Sequence, residues 1–188
     1  MAKEMDDRDK KVKGNVMIGY RNFVKKKWGL HGLDKAFKDK RVDLSDLQDK
    51  RWYHYRLSVD LLDWIEENYG IDYCRQAGFS VIVDAGVITW AARVMGIKRV
   101  LDKGVQEFRN NLNYGKIEID QEENSAEITL KDVITGETDK MAWKGVFEGI
   151  LKITKKFVNF LKDSWIFAIR NPSFIPWNHI LRLIDNLK

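Results

Sequence analysis

The residue types that most often carry catalysis or bind metals are few in this chain and far apart. Its three histidines, His31, His54 and His179, lie in three different segments, and none has a second histidine or a carboxylate at metal-site spacing. Cys74 is the single cysteine, which excludes an internal disulfide framework and a multi-cysteine metal site. A helix N-terminus could lower its thiol pKa, but no histidine follows at helical spacing to act as a base. We therefore expect a structural cysteine and no bound metal.

Asp84 is the most unusual carboxylate in the sequence. It is the only ionisable residue between Arg75 and Arg93, inside the apolar stretch GFSVIVDAGVITWAA. A carboxylate buried there would need a partner or would stay protonated. Asp84 could be a polar anchor at the base of an apolar pocket, but exposure to solvent or pairing with Arg93 or another basic side chain is the simpler interpretation. No nucleophile–base pair is visible, so we predict that the protein is not an enzyme.

Several glycines stand at helical spacing. Gly145 and Gly149 share one face of a predicted helix in WKGVFEGILKITKK, and Gly78 and Gly86 share a face, with Ile82 between them, of an apolar helix before it. Each glycine costs a helix about 1 kcal/mol relative to alanine. Small residues at this spacing let two helix backbones approach closely, which predicts tight packing in the core. Alternatively, the missing side chains leave room for a ligand.

Composition and charge limit the class of protein. The 188 residues, with 44% hydrophobic and 32% charged residues, are typical of one globular domain. The net charge is +5, but the 28 acidic residues are spread along the chain and no nucleic-acid-binding motif occurs. We interpret the lysines as a solvated surface and consider a nucleic-acid partner improbable. The charged N-terminus lacks the apolar segment of a signal peptide, and no apolar run approaches the ~20 residues of a membrane span, so we expect a cytoplasmic protein.

Hydrophobic periodicity predicts an α+β fold that is mainly helical, with four to six helices and a small antiparallel sheet of two or three strands before a long final helix. The predicted helices run from Gly14 to near Gly29, over 32–37, from about Arg51 to Tyr69, over 72–96, over 97–115 and from Met141 to about Ile169. Between 115 and 133 the apolar residues alternate around the polar turn EENS, which predicts a hairpin. The segment TGETDK is a second predicted turn and could carry a short third strand.

The chain divides into three predicted parts. Residues 1–12 are expected to be a disordered lead, and 13–156 form the domain. Residues 157–188 form an amphipathic, aromatic tail that begins with nine apolar residues in the thirteen of FVNFLKDSWIFAI. Such a tail packs on its own domain, pairs with a second subunit, or lies at a membrane interface with its basic and aromatic residues.

The order of these elements resembles a superfamily shared by the heme nitric-oxide-binding domains, the 4-vinyl-reductase domains and the Bet-type subunits of the TRAPP trafficking complex. The opening VKGNVMIGYRNFVKKKWGLHGLDKAF is similar to the start of the family, and W-x-G-x-F-E-G begins its final helix. The segments RWYHYRLSVDLLDWIEENYG, CRQAGFSVIVDAG and RVLDKGVQEF are most similar to an uncharacterised bacterial branch that lacks the heme histidine. The resemblance covers roughly residues 13–156.

The resemblance implies an apolar pocket or interhelical groove and a tendency to dimerise. Heme-binding members carry an axial histidine on a helix ahead of the sheet and a Tyr-x-Ser-x-Arg motif. Residues 55–178 of this chain contain no histidine, and the motif does not occur. Metal-binding vinyl-reductase-type members use several cysteines, whereas this chain has one. We therefore expect no cofactor. Trafficking-type members hold an acyl chain in the groove.

These observations favour a non-enzymatic binding or sensory module for a small apolar or acyl molecule, which acts as a homodimer or through a partner protein. Helical phase suggests a ligand between the central helix and the hairpin, lined by Val81, Ile82, Asp84, Ala85, Trp143 and Phe147. The alternative is a peripheral membrane or scaffold protein that uses its basic surface and the 157–188 tail.

Overall fold

The structure is a computed structural model, and it describes residues 6–84, 97–121, 125–133, 136–154, 157–160 and 166–170. These residues form an α+β fold, as the sequence predicts. The helices are α1 (Gly14–Lys40), α2 (Arg56–Tyr69), α3 (Ile71–Val83), α4 (Ile97–Asn111) and α5 (Glu137–Thr154). The strands are β1 (Lys11–Lys13), β2 (Trp52–His54), β3 (Lys116–Gln121), β4 (Ser125–Lys131), β5 (Phe157–Phe160) and β6 (Ile166–Arg170).

Helix α1 consists of two helical segments that meet at Gly29, where the sequence places the end of the first helix. Gly29 has φ 69° and ψ −162°, a backbone conformation that residues with a side chain rarely adopt. The second segment extends the short helix predicted over 32–37 as far as Lys40. It ends at Arg41, which is in the left-handed conformation (φ 58°) and whose N–H donates to the carbonyl oxygen of Phe37.

The structure describes the segment before α1 from Asp6 onward, with a 3-10 helix over Asp7–Asp9 followed by β1, and residues 1–5 of the expected disordered lead over 1–12 lie outside the described residues. Strand β1 pairs antiparallel with β2, with Val12 opposite Tyr53, and Val12 is only 1% exposed. The Tyr55 hydroxyl donates to Asp7 at 2.9 Å. The pairing also places Lys13 opposite Trp52, and α2 begins at Arg56 and not at the expected Arg51.

A helical core forms where α1, α2 and α3 pack together. Met17, Trp64 and Ile65 are fully buried there, and the predicted apolar stripe of α2 faces inward. The Trp28 ring stacks on that of Tyr69 with ring centroids 3.8 Å apart. The stack closes the core at the bend of α1, next to Gly29. Of the predicted central helix over 72–96, residues 85–96 lie outside the described residues.

The sheet has four antiparallel strands in the order β3–β4–β6–β5. Strands β3 and β4 are the predicted hairpin, with Ile119 opposite Ile128, and β6 lies beside β4 with Phe167 opposite Ile128. The expectation that the last helix continues to about Ile169 is wrong, because α5 ends at Thr154. The apolar run after it fits either period, and pairing with β4 decides in favour of strands. Two segments of the expected tail therefore belong to the sheet.

Candidate ligand-binding site

Helix α5 lies between α3 on one side and the α4–hairpin layer on the other. Gly145 and Gly149 contact α3, whereas Trp143 and Phe147 pack with residues of α4 and β4. Residues two positions apart on a helix point about 200° away from each other, which explains the separation. The two faces of α5 therefore make two different kinds of contact.

The glycine face of α5 packs directly on the backbone of α3. A Cβ atom on Gly145 would overlap the carbonyl oxygen of Arg75 and lie 2.7 Å from the amide nitrogen of Phe79. On the facing helix, a Cβ atom on Gly78 would overlap the carbonyl oxygen of Ala142. The space left by the missing side chains is thus filled by backbone, and a ligand does not fit between these glycines.

Gly149 and an ion pair of Arg75 complete the described part of this interface. A Cβ atom on Gly149 would lie 3.0 Å from Cβ of Ile82, which is tighter than ordinary contact, and Gly86 lies outside the described residues. Arg75 bridges the two helices, because its guanidinium donates to Glu148 at 2.6 Å. The hydrogen bond to Asp72 and, to a smaller extent, that to Glu148 raise the pKa of Arg75, so the guanidinium stays charged.

The residues predicted to line one pocket are divided by this arrangement. Val81 packs in the helical core, with its Cγ2 only 2.9 Å from where a Cβ on Gly19 of α1 would lie. Ile82 contacts Gly149 on the glycine face of α5. Trp143 and Phe147 lie on the opposite face of α5, so the structure does not bring the two pairs together. Ala85 lies outside the described residues.

Asp84 is an exposed carboxylate at the C-terminal end of α3. It accepts a hydrogen bond from the Ser80 hydroxyl at 2.9 Å and lies 3.5 Å from Nζ of Lys26. The side chain is 42% exposed, so its charge is solvated and needs no buried partner. The simpler of the two sequence interpretations therefore applies, and Asp84 is not at the base of an apolar pocket.

The face of α5 opposite the glycines carries the aromatic cluster, which we define as Phe108, Trp143 and Phe147. The ring centroids of Phe108 and Trp143 are 5.9 Å apart, and those of Trp143 and Phe147 are 6.0 Å apart. The three rings cover an apolar layer whose buried members also include Ile128, Leu130 and Val133. The lining predicted from the sequence includes Trp143 and Phe147 but not Phe108. The helical period of the sequence already places Phe108 on the apolar face of α4.

Cys74 and the two described histidines lie on elements other than those that carry the aromatic cluster. Cys74 is fully buried in the helical core and its thiol donates to the carbonyl oxygen of Leu62 at 3.3 Å. Burial raises the pKa of the Cys74 thiol to about 12, so it is protonated at neutral pH and a poor nucleophile. His31 and His54 are exposed, on α1 and β2. His179 lies outside the described residues.

Two further classes of site are absent from the described part of the chain. It contains no group of three or more His, Cys, Asp or Glu side chains placed to hold a metal ion. It also contains no helix with the length and apolar character needed to cross a membrane.

The fold is similar to that of solved H-NOX structures. The Fe(II) unliganded H-NOX protein from K. algicida aligns with 15% identity over 88% of this chain and 99% of its own, with a TM-score of 0.57. A Tt H-NOX variant aligns with 12% identity over 85% of this chain and 95% of its own, with a TM-score of 0.62. A structure from a study of heme distortion in the H-NOX family aligns at 11% identity with the same coverages and TM-score. No protein-family model and no curated protein matches the chain.

Heme is the group that these structures imply, and the described helix directly before the hairpin does not provide a donor for its iron. Heme iron takes an axial His, Cys, Met or Tyr. The helix ahead of the hairpin, α4, has the sequence IKRVLDKGVQEFRNN, which contains none of these residues. The buried thiol of Cys74 is on α3 and is already bonded to Leu62. The fold is thus similar to that of the H-NOX structures, but α4, the helix directly before the hairpin, carries no residue that binds heme iron.

Proposed function

We propose that this protein is a non-enzymatic binding module that holds a small apolar or acyl molecule, and no heme, against the aromatic cluster. The aromatic cluster carries the proposal, because two of its members, Trp143 and Phe147, belong to the predicted lining and pack with sheet residues. Aromatic and aliphatic walls of this kind favour apolar ligands, since burying apolar surface contributes about 25 cal/mol per Å².

The position of Trp143 supports this site. Phe108 and Phe147 are buried (7% and 2% exposed), whereas Trp143, which contacts both rings, is only partly buried. An apolar molecule that covered the rest of the indole would remove more apolar surface from water. The glycine face of α5 offers no such surface, because atoms of α3 fill it: backbone atoms at Gly145, and backbone and the Ile82 side chain at Gly149.

The protonated state of Cys74 supports the non-enzymatic part of the proposal. A thiol with a raised pKa is not a nucleophile at neutral pH, and Asp84 is a solvated carboxylate with a hydroxyl and an amine as neighbours. A signal from the bound state would then pass through a second copy of the chain or through another protein in the cytoplasm.

Native mass spectrometry of the full chain tests the proposal. We expect freshly purified protein, or protein incubated with palmitate, to carry a mass that denaturation releases, and we expect Trp143→Ala to lose it. Trp52→Ala is the matched control, because Trp52 is a partly exposed tryptophan on β2, which pairs with β1 and is not part of the four-stranded sheet. A clean apo mass in both preparations would contradict the proposal. The same spectra distinguish a monomer from the expected homodimer.

The second candidate function, membrane or scaffold contact through residues 157–188, remains a prediction. Residues 171–188, with their aromatic and basic side chains, lie outside the described residues. Co-sedimentation of the full chain with vesicles, compared with a chain ending at residue 170, measures their contribution. The shortened chain keeps β5 and β6 and therefore the whole described sheet.

A further inference from the structure

The second segment of α1 presents apolar side chains to solvent. Leu30 is 65% exposed and Phe37 is 45% exposed, the highest values for large hydrophobic residues in the described part of the chain. They are seven residues apart, which places them on one side of the helix, two turns from each other. Gly32 and Ala36, on the other side of the same segment, are buried. The exposed face is therefore distinct from the face that packs on the core.

Basic residues are frequent in the segment that carries these two side chains. Residues 25–41 contain seven basic and two acidic residues, a net charge of +5, which equals the net charge of the whole chain. Lys38 and Arg41 are exposed on the same segment, and the Arg41 guanidinium lies 6.0 Å from the centre of the Phe37 ring. Lys25–Lys27 are exposed just before the bend at Gly29. Asp34, also exposed, is the one acidic residue on this face.

Most of this charge is not neutralised within the protein. Among the described residues, no carboxylate forms an ion pair with Lys25, Lys27, Lys38 or Arg41, and Lys26 lies 3.5 Å from Asp84. We define the α1 surface as Lys25–Lys27, Leu30, Phe37, Lys38 and Arg41. It combines two solvated apolar side chains with five cations, and among the described residues only Lys26 has a carboxylate partner.

The chemistry of the cations distinguishes between a protein, a membrane and a nucleic acid as the partner of the α1 surface. Protein–protein interfaces are depleted of lysine and enriched in arginine, but only Arg41 among the cations of the α1 surface is an arginine. Lysine ammonium groups on flexible stems suit a diffuse layer of anionic headgroups, and each adds about 1 kcal/mol at such a surface. Nucleic acid would use the cations but would leave Leu30 and Phe37 in water.

We infer that the α1 surface docks this protein on a membrane that contains anionic lipids. Leu30 and Phe37 insert at the boundary between headgroups and acyl chains, while the lysines and Arg41 remain at the level of the headgroup phosphates and carboxylates. The inference does not depend on the ligand proposed for the aromatic cluster, because α1 and that cluster contribute to different cores.

Vesicle co-sedimentation of the full chain tests this docking. We expect binding to vesicles of phosphatidylcholine with phosphatidylserine and little binding to phosphatidylcholine alone. Replacing Lys38 and Arg41 by glutamine should weaken binding more than tenfold, since each cation contributes about fivefold. Leu30→Ser with Phe37→Ser should also weaken binding at least tenfold, and this loss should persist in high salt, where the electrostatic part is screened.

Two control variants separate the α1 surface from general effects. Lys50→Gln with Lys116→Gln removes two exposed lysines elsewhere, and Trp52→Ser removes the third large exposed hydrophobic side chain. Both should bind as the wild type does, and circular dichroism should show that all variants keep their helices. Absence of wild-type binding to anionic vesicles would overturn the inference. An equal loss of vesicle binding in the control variants would overturn it as well. So would a Leu30→Ser/Phe37→Ser variant that binds both the vesicles and a single-stranded oligonucleotide as the wild type does.

Discussion

Gly145 of α5 lies directly against the carbonyl of Arg75 in α3, and no side chain separates the two helices at this point. The reciprocal contact, Gly78 against Ala142, is made from α3. Helix propensity alone would disfavour both glycines by about 1 kcal/mol each. Their retention is explained by the close approach, which a methyl group would prevent.

Replacing Gly145 with alanine should destabilise the protein although alanine is the better helix former. The new Cβ would meet backbone atoms of α3, which cannot move aside as a flexible side chain can, and overpacking of this kind costs about 1–3 kcal/mol or more. Gly104→Ala in α4 is the matched control, because no atom lies within 4 Å of its Cβ position. It should stabilise the protein by up to about 1 kcal/mol. Urea unfolding of both variants measures the difference, and similar stabilities would show that the α3–α5 approach is not tight in solution.

The Cys74 thiol should be unreactive in the folded protein. It is fully buried and hydrogen-bonded to Leu62, and burial raises its pKa to about 12, so neither access nor the thiolate is available at pH 8. A thiol reagent such as Ellman's reagent should titrate no cysteine in native buffer and one after addition of guanidinium chloride. Rapid labelling of the native protein would contradict both the burial of Cys74 and its structural role.

The free energy of unfolding should fall as the pH rises above about 9. Burial raises the pKa of Cys74, and burial followed by the charge of Asp139 raises the pKa of Tyr20 and of Tyr114. A group whose pKa is raised by folding stays protonated in the folded protein at a pH where it already ionises in the unfolded chain. Its stabilisation is therefore complete below the unfolded pKa and is lost as the pH rises from the unfolded pKa through the folded pKa. Each group that ionises only on unfolding adds up to about 1.4 kcal/mol per pH unit.

Urea unfolding at pH 7, 9 and 10.5 measures this alkaline loss. Tyr20→Phe keeps the buried ring and removes one of the three groups, so its stability should decline less steeply with pH than that of the wild type. A wild-type stability that stays constant up to pH 10.5, or an identical decline in Tyr20→Phe, would show that these groups do not control the pH dependence.

The protein should not acquire a coordinated heme when hemin is added. Helix α4 provides no axial donor, and His31 and His54 are exposed on α1 and β2. Titration with hemin should give the broad absorption of unligated or non-specifically bound heme, unchanged in a His31→Ala/His54→Ala variant. A sharp, stoichiometric Soret band that persists through gel filtration would contradict the prediction. This outcome would also argue against an apolar molecule in the aromatic cluster.

The sequence by itself determined the elements whose signal is local. Neighbouring residues determine the apolar period of α2 and its end at Gly70. They also determine the break of α1 at Gly29 and the alternation of apolar residues in β3 and β4. The same holds for the supply of donors, because the three histidines and the single cysteine are counted from the sequence alone.

Only the tertiary structure decided the features that depend on distant partners. The strands β5 and β6 replace an expected helix because β6 pairs with β4, and Lys11–Lys13 form a strand because β1 pairs with β2. The lining predicted from helical phase is divided for the same reason. Phase places Val81 and Trp143 on faces of their own helices, but α5 lies with its glycines on α3 and its aromatic residues on the sheet. Local periodicity carries no information on which face meets which partner, because that choice minimises the exposed apolar surface of the whole chain.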